Sequence, residues 1–343
     1  MMNSTIGRIR NERRKRFTRR AAVTSALFLL VLMLCTAMLM LGNTIYPVQD
    51  VVRVLLGEEI AGMMFAIETI RLPRMLAGLL AGIAFGIAGN TFQTMLRNPL
   101  ANPDILGITA GSTVAALVCI LLLQTSRATV SVSAIIAGLV TVVVIYFLSR
   151  GNGFSIGRLV LVGIGIQAIL SATILYLLMI GAQEDLPNAM RWMSGSLNGV
   201  QLHQLVPLAI SMIVCIPLLV FTGRHLLMLE LGESAALSLG VQTDRTRIVL
   251  IVASVIMLAL ATAVTGPIAF VAFLSGPIAK RLMGEGSPSI IGSGLVGATL
   301  VLGADLLGQF AFDVRYPVGV ITGMMGAPFL LYLLIRMNRR GNL

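Results

Sequence analysis

Long apolar runs separated by short polar breaks dominate the chain, and the runs have the length of membrane helices. A spanning helix needs about 20 mainly apolar residues. Ten stretches qualify: 21–41, 75–92, 106–124, 129–149, 159–181, 205–221, 248–265, 267–283, 290–308 and 317–335. The weakest is 267–283, which Pro267, Gly276 and Pro277 interrupt. The pattern predicts an all-α polytopic membrane protein of about ten transmembrane helices. An even number puts both termini on one side.

Charge identifies that side, because short loops rich in Lys and Arg stay in the cytoplasm. With the amino terminus inside, the inner segments hold 19 of the 25 basic residues, eight of them before the first span. The outer loops hold Arg53, Arg71, Arg74, Arg127, Arg191 and Arg315, interspersed with Asp50, Glu58, Glu59, Glu68, Glu184, Asp185 and Asp313. Three parts follow: a basic cytoplasmic segment at 1–20, one transmembrane domain at 21–336, and a cytoplasmic tail at 337–343. The longest inner loop is 222–247.

Composition excludes a soluble domain: 57% of the 343 residues are hydrophobic, 11% are charged, and the mean hydropathy is +0.94. The net charge of +11 needs no nucleic acid. Much of it lies in the run Arg8–Arg20, and an arginine-rich run before a first span is an orientation signal attracted to anionic lipid. The apolar run that follows is too long for the core of a signal peptide and lacks a small-residue cleavage site, so it reads as a retained first helix.

Candidate chemistry is sparse. Cys35, Cys119 and Cys215 all fall in apolar spans as buried thiols, and His203 and His225 lie on opposite sides of the predicted membrane, so no metal site assembles. There is no GxxxxGK[ST] loop to cradle nucleotide phosphates, and no nucleophile and base constellation stands in the spans. Asp305 is the only acidic residue within a predicted span. An intramembrane carboxylate is a functional candidate by default; satisfying polar groups where helices meet is the stronger reading here.

The most informative stretch runs from Arg71 to Gly111, RLPRMLAGLLAGIAFGIAGNTFQTMLRNPLANPDILGITAG. Gly78, Gly82 and Gly86 recur every fourth residue, which leaves bare backbone on one helical face for a close neighbour. Gln93, Asn98, Pro99, Leu100, Pro103 and Gly107 then form a polar elbow whose two prolines forbid a continuous helix. That order resembles the permease subunits of ABC importers for iron-siderophores, haem and cobalamin, the FecCD/BtuC type. The resemblance covers roughly residues 60–336 and implies the type II ABC importer permease fold.

What the resemblance implies can be placed residue by residue. Arg71 and Arg74, with Arg315 in place of a third arginine, match groups that dock an extracytoplasmic binding protein. Leu231, Gly232, Glu233, Ser234, Ala235, Leu239 and Gly240 look like the cytoplasmic loop that couples to an ATPase. Ser155, Ile156 and Gly157 match an inner gate, with a plain cytoplasmic turn as the competing reading. Gln167, Gln93 and Asn98 are the accompanying candidates for the pathway wall. Trp192, beside Ser194–Leu197, resembles the outer re-entrant segment at the mouth; an interfacial anchor is the other reading. Ala304-Asp305 and YPVGVITGMMGAP at 316–328 continue the match, whereas Gly276-Pro277-Ile278 stands where the family usually carries Pro-His-Ile, so no role for that histidine transfers.

The implied mechanism has two permease subunits enclosing one pathway, an unlike partner being favoured over a second copy. Two ATP-binding subunits and an external binding protein complete the machine, in the cytoplasmic membrane of a prokaryote. This chain binds no cofactor, ATP and Mg belonging to the partner ATPase. Few charges, 35 glycines and 19 methionines suit a wide, weakly adhesive pathway for a ferric siderophore, with catecholates among the candidates. Haem and cobalamin are the alternative cargoes. An ion-driven secondary transporter is the alternative of another class, and it would need an ion-coupling site near the midplane.

Overall fold

The computed structural model describes residues 2–150, 156–284 and 289–339, and within them the protein is all helical. Helix α1 (Met2–Met40) runs unbroken from the basic segment into the first apolar run, with no change of structure at residue 20. Arg, Lys and Glu are good helix formers, and neither Gly nor Pro stands between Arg8 and Leu41. A short amphipathic helix, α2 (Val48–Leu55), follows; it buries Val51 and Val54.

A seven-residue π-helical turn, Phe65–Arg71, leads into α3 (Leu72–Met95), and a 3-10 turn, Pro103–Leu106, leads into α4 (Ile108–Leu117). Then come α5 (Arg127–Ser149), α6 (Ile156–Ile180), the short α7 (Leu186–Met193), α8 (Leu202–Glu230), α9 (Glu233–Ser238), α10 (Thr243–Thr265), α11 (Val271–Met283), α12 (Ile290–Phe310) and α13 (Val318–Arg339).

Every predicted span has a helix, and among the described residues eight helices are long and apolar enough to cross a bilayer. The exceptions have local causes. The run 106–124 forms a shorter helix, Ile108–Leu122, whose last turn is π-helical. The run 267–283 becomes helical only at Val271, after Gly266 and Phe270 adopt φ of 69° and 63°. At 1.5 Å per residue α11 is about 20 Å long, short of the ~30 Å apolar layer.

Helix α3 is the axis of the fold: 78% of its most apolar stretch is buried, against 11% for α6. The every-fourth glycines explain why. A Cβ at Gly82 would lie 2.6 Å from the Ala298 Cα, and a Cβ at Gly86 would strike the Ser293 carbonyl, so α12 lies directly on the α3 backbone. In the bilayer there is no hydrophobic drive between helices, and such close van der Waals contact supplies the association. Gly89 meets Ala272 of α11 in the same way.

Two non-helical segments, 194–201 and 266–270, lie against one another. Ser196 N donates to Thr265 O at 2.7 Å, and Gly319 N donates to Gly195 O at 3.3 Å. Leu197 is buried against Gly78. Irregular backbone within a membrane protein must find such partners inside the protein, because lipid offers none.

Candidate functional site

Three groups of residues carry the sequence-based expectations, and the structure separates them. The first lies at the α7 end of the bundle. Arg71 is 9% exposed and faces inward. Its Nη1 donates to Leu39 O and Met40 O at 2.8 and 2.7 Å, its Nη2 donates to Thr44 O at 2.7 Å, and its guanidinium stacks on the Tyr46 ring at 4.4 Å. It therefore closes the carboxy-terminal end of α1, where the last carbonyls have no helical partner and the macrodipole is negative. Arg74 makes a bidentate pair with Asp305 on α12, Nε to Oδ2 and Nη2 to Oδ1, both 2.8 Å. Gln309 Nε2 donates to the same carboxylate at 2.7 Å.

Arg71 and Arg74 thus direct hydrogen bonds into the protein, Arg71 to the end of α1 and Arg74 to Asp305. Asp305, 1% exposed, has the structural role favoured from sequence. With two partners on its carboxylate it offers no open ion-coupling site, which removes the secondary transporter's one candidate group. Arg315 remains exposed and donates to Asn43 Oδ1. A sequence signal for the pair did exist: a lone carboxylate inside a span demands a cation at its own depth, and Arg74 opens the helix that the glycines press against α12.

The second group is the polar elbow. Gln93 is 3% exposed, and its Nε2 donates to Phe273 O at 2.9 Å. The residue four positions after Phe273 is Pro277, which has no N–H, so the Phe273 carbonyl lacks its helical donor. Gln93 supplies that donor from α3. Gly276 makes the approach possible, since a Cβ there would collide with Gln93 Oε1. Within this chain Gln93 packs between α3 and α11. The Gly276-Pro277 departure and Gln93 form one unit.

Gln93→Leu is expected to cost about 1–2 kcal/mol, the range for an orphaned buried carbonyl reduced by what membrane proteins show. In a Pro277→Ala background, which restores the N–H, the cost should shrink. A double-mutant cycle on thermal unfolding in detergent measures that coupling; equal costs in the two backgrounds would refute the account.

Asn98 is exposed, and its Oδ1 accepts from Leu100 N at 2.8 Å, an Asx turn that starts the elbow. Further along, Asp104 accepts from Asn102 Nδ2 at 2.8 Å and from Thr109 Oγ1. Burial pushes its carboxyl above the usual range, and the two donors pull the other way. Of the gate residues, Ser155 lies outside the described residues. Ile156 and Gly157 begin α6, Gly157 being exposed, and Gln167 is half-buried further along that helix.

The third group is at the opposite end. Gly232 and Gly240, with φ of 116° and 80°, bracket α9. Glu233 accepts from Arg247 Nη2 at 3.0 Å, Ala236 is fully buried, and Gly232 O caps the turn by accepting from Ala236 N at 2.9 Å. Leu231, Leu237 and Leu239 are 69%, 54% and 58% exposed, with Ser234 beside them. Beneath, Lys280 pairs with Glu230 at 3.0 Å, and Arg19 caps α11 by donating to Leu282 O and Arg281 O, both at 3.0 Å. A short helix with a buried small face and an apolar outer edge is thereby fixed to α8, α10 and, through Glu230, α11.

Trp192 is half-buried and packs toward Ala116, Cys119 and Val130. Among the described residues no group of three His, Cys, Asp or Glu could hold a metal ion.

The sequence pattern of the FecCD transport family matches residues 28–336. The ferric enterobactin transport system permease protein FepG of Escherichia coli (strain K12) is 34% identical over 303 residues, 87% of this chain and 91% of that protein. The achromobactin transport system permease protein CbrC of Dickeya dadantii (strain 3937) is 33% identical over 333 residues, 94% and 95% of the two chains. A solved protein described as a metal-chelate type ABC transporter in an inward-facing conformation superposes with a TM-score of 0.80 at 27% identity, covering 92% of this chain and 99% of that one. With glycine-packed α3 and α12, a broken α10 and α11 pair and this end-to-end likeness, the chain belongs to the FecCD transport family, as a multi-pass membrane permease.

Proposed function

We propose that the chain is the permease subunit of an ATP-driven importer that moves a ferric siderophore inward across the cytoplasmic membrane, both its termini being cytoplasmic. The observation that carries this reading is the likeness over nearly the whole chain to permeases named for ferric enterobactin and achromobactin. It pairs with a second, unlike permease subunit. Support comes from α6, which is largely exposed, and from Gly165 on α6 and Gly323 on α13, which have open space beside them, as a close helical neighbour requires. Gln167 on α6 would then face the shared pathway, with Ile156 and Gly157 at the start of the same helix.

Two ATP-binding subunits, holding the ATP and Mg, engage Leu231 to Gly240, where Leu231 and Leu239 offer the apolar edge and Glu233, Ser234 and Ala235 the small turn. An extracytoplasmic binding protein docks at the α7 end. There Arg315 supplies the accessible charge, and Arg71 and Arg74 hold the surface that presents it. Arg315→Glu should therefore weaken docking and flatten its salt dependence, while unchanged affinity in that variant would remove Arg315 from the interface.

Uptake of radiolabelled iron with a panel of chelators, catecholates included, in cells with and without this chain tests the cargo. Loss of ferric-siderophore uptake is expected. Dependence of haem or cobalamin uptake alone would overturn the siderophore assignment.

A further inference from the structure

At the α7 end, away from the Arg74–Asp305 pair, a cavity of about 350 Å3 lies between the end of α4, the first turns of α5 and α8, helix α7 and the end of α10. Its lining includes the apolar side chains of Ile120, Val130, Val200, Ala263 and Val264. It also includes Arg127, Arg191, Asp185, Gln124 and Trp192. A chamber lined by both apolar and charged groups, at the ends of membrane helices, has the character of the layer between acyl chains and water. Tryptophan concentrates in that layer.

Its charge is unbalanced. Asp185 is the single carboxylate of the lining, and Gln124 Nε2 already donates to its Oδ2 at 2.8 Å. Arg127 spends Nη1 on Gly199 O at 3.1 Å, which leaves Nε and Nη2 to donate elsewhere. Arg191 makes none of the hydrogen bonds or ion pairs found among the described residues. The amino-terminal turns of α5 and α8 open onto the same space, adding partial positive charge. Two guanidinium groups lining one chamber suit a phosphate, whose oxygens accept bidentate charge-assisted hydrogen bonds.

We propose that this cavity binds a phosphate group between Arg127 and Arg191, carried on the head of a phospholipid whose acyl chains leave past the apolar lining residues. The bound phosphate ties α7 to the start of α5. That matters for transport because α7 leads into the 194–201 segment, which rests on Gly266 and Gly319.

Native mass spectrometry and thermal unfolding of the delipidated full chain test the site, with phosphatidylglycerol, phosphatidylethanolamine and inorganic phosphate as separate probes. Both arginines are exposed, so Arg127→Gln/Arg191→Gln should fold; Arg150→Gln, at the other end, is the control. The wild type and the control should retain lipid and melt higher with it. The double variant should bind about tenfold or more weakly, as two charge-assisted hydrogen-bonding groups are lost. Equal stabilisation by inorganic phosphate, lost in the same variant, would keep the phosphate chemistry and assign it to a soluble source. Undiminished lipid retention by the double variant, or no binding of any probe by the wild type, would overturn the proposal.

Discussion

Asp305→Ala is expected to remove most of the folded protein from the membrane. The carboxylate is 1% exposed and receives three hydrogen bonds, two from Arg74 and one from Gln309. Removing it leaves a guanidinium, 17% exposed at its side chain, without its counter-charge. Breaking one half of a buried pair costs about 3–5 kcal/mol, whereas replacing both halves with apolar groups is often neutral. Arg74→Met/Asp305→Leu should accordingly recover much of the yield that either single change loses. Fluorescence-detected size exclusion of the three variants reads this directly. A monodisperse Asp305→Ala protein with an unshifted melting temperature would show that the pair does not hold α3 to α12.

Gly240→Val and Leu239→Asp should abolish transport while leaving the bundle intact. Gly240 has φ of 80°, which costs an L side chain about 1–2 kcal/mol, and a β-branched residue more. Nothing lies within 4 Å of the position its Cβ would take, so the penalty is conformational and falls on the turn that ends α9. Leu239 is 58% exposed, and an aspartate there would put a charge on the apolar edge proposed to meet the ATPase. Membrane insertion and melting temperature should stay near wild type in both, while transport and substrate-stimulated ATP hydrolysis of the assembled importer fall together or lose their link. Full, coupled activity in both variants would take α9 out of the coupling path.

Hydrophobic length and the every-fourth glycines are local properties, and the sequence was sufficient for what depends on them. It located a helix for each of the ten apolar runs and the elbow after Met95, and it anticipated the bare face of α3. Pro267, Gly276 and Pro277 also marked the segment that fails to become a full span. The same reasoning stops at pairings between distant positions, because a residue type states what bonds it can make and is silent on which partner comes within reach. An arginine just outside a span reads as an accessible charge. Only the packing of α3 on α12 set Arg74 against a carboxylate 231 positions away, and only the turn after α1 brought its last carbonyls to Arg71. Gln93 was legible only as a polar group in an apolar run, and the fold placed it on the carbonyl that Pro277 leaves without a donor. In an apolar interior every polar group must find a partner, and the tertiary structure alone decided which one.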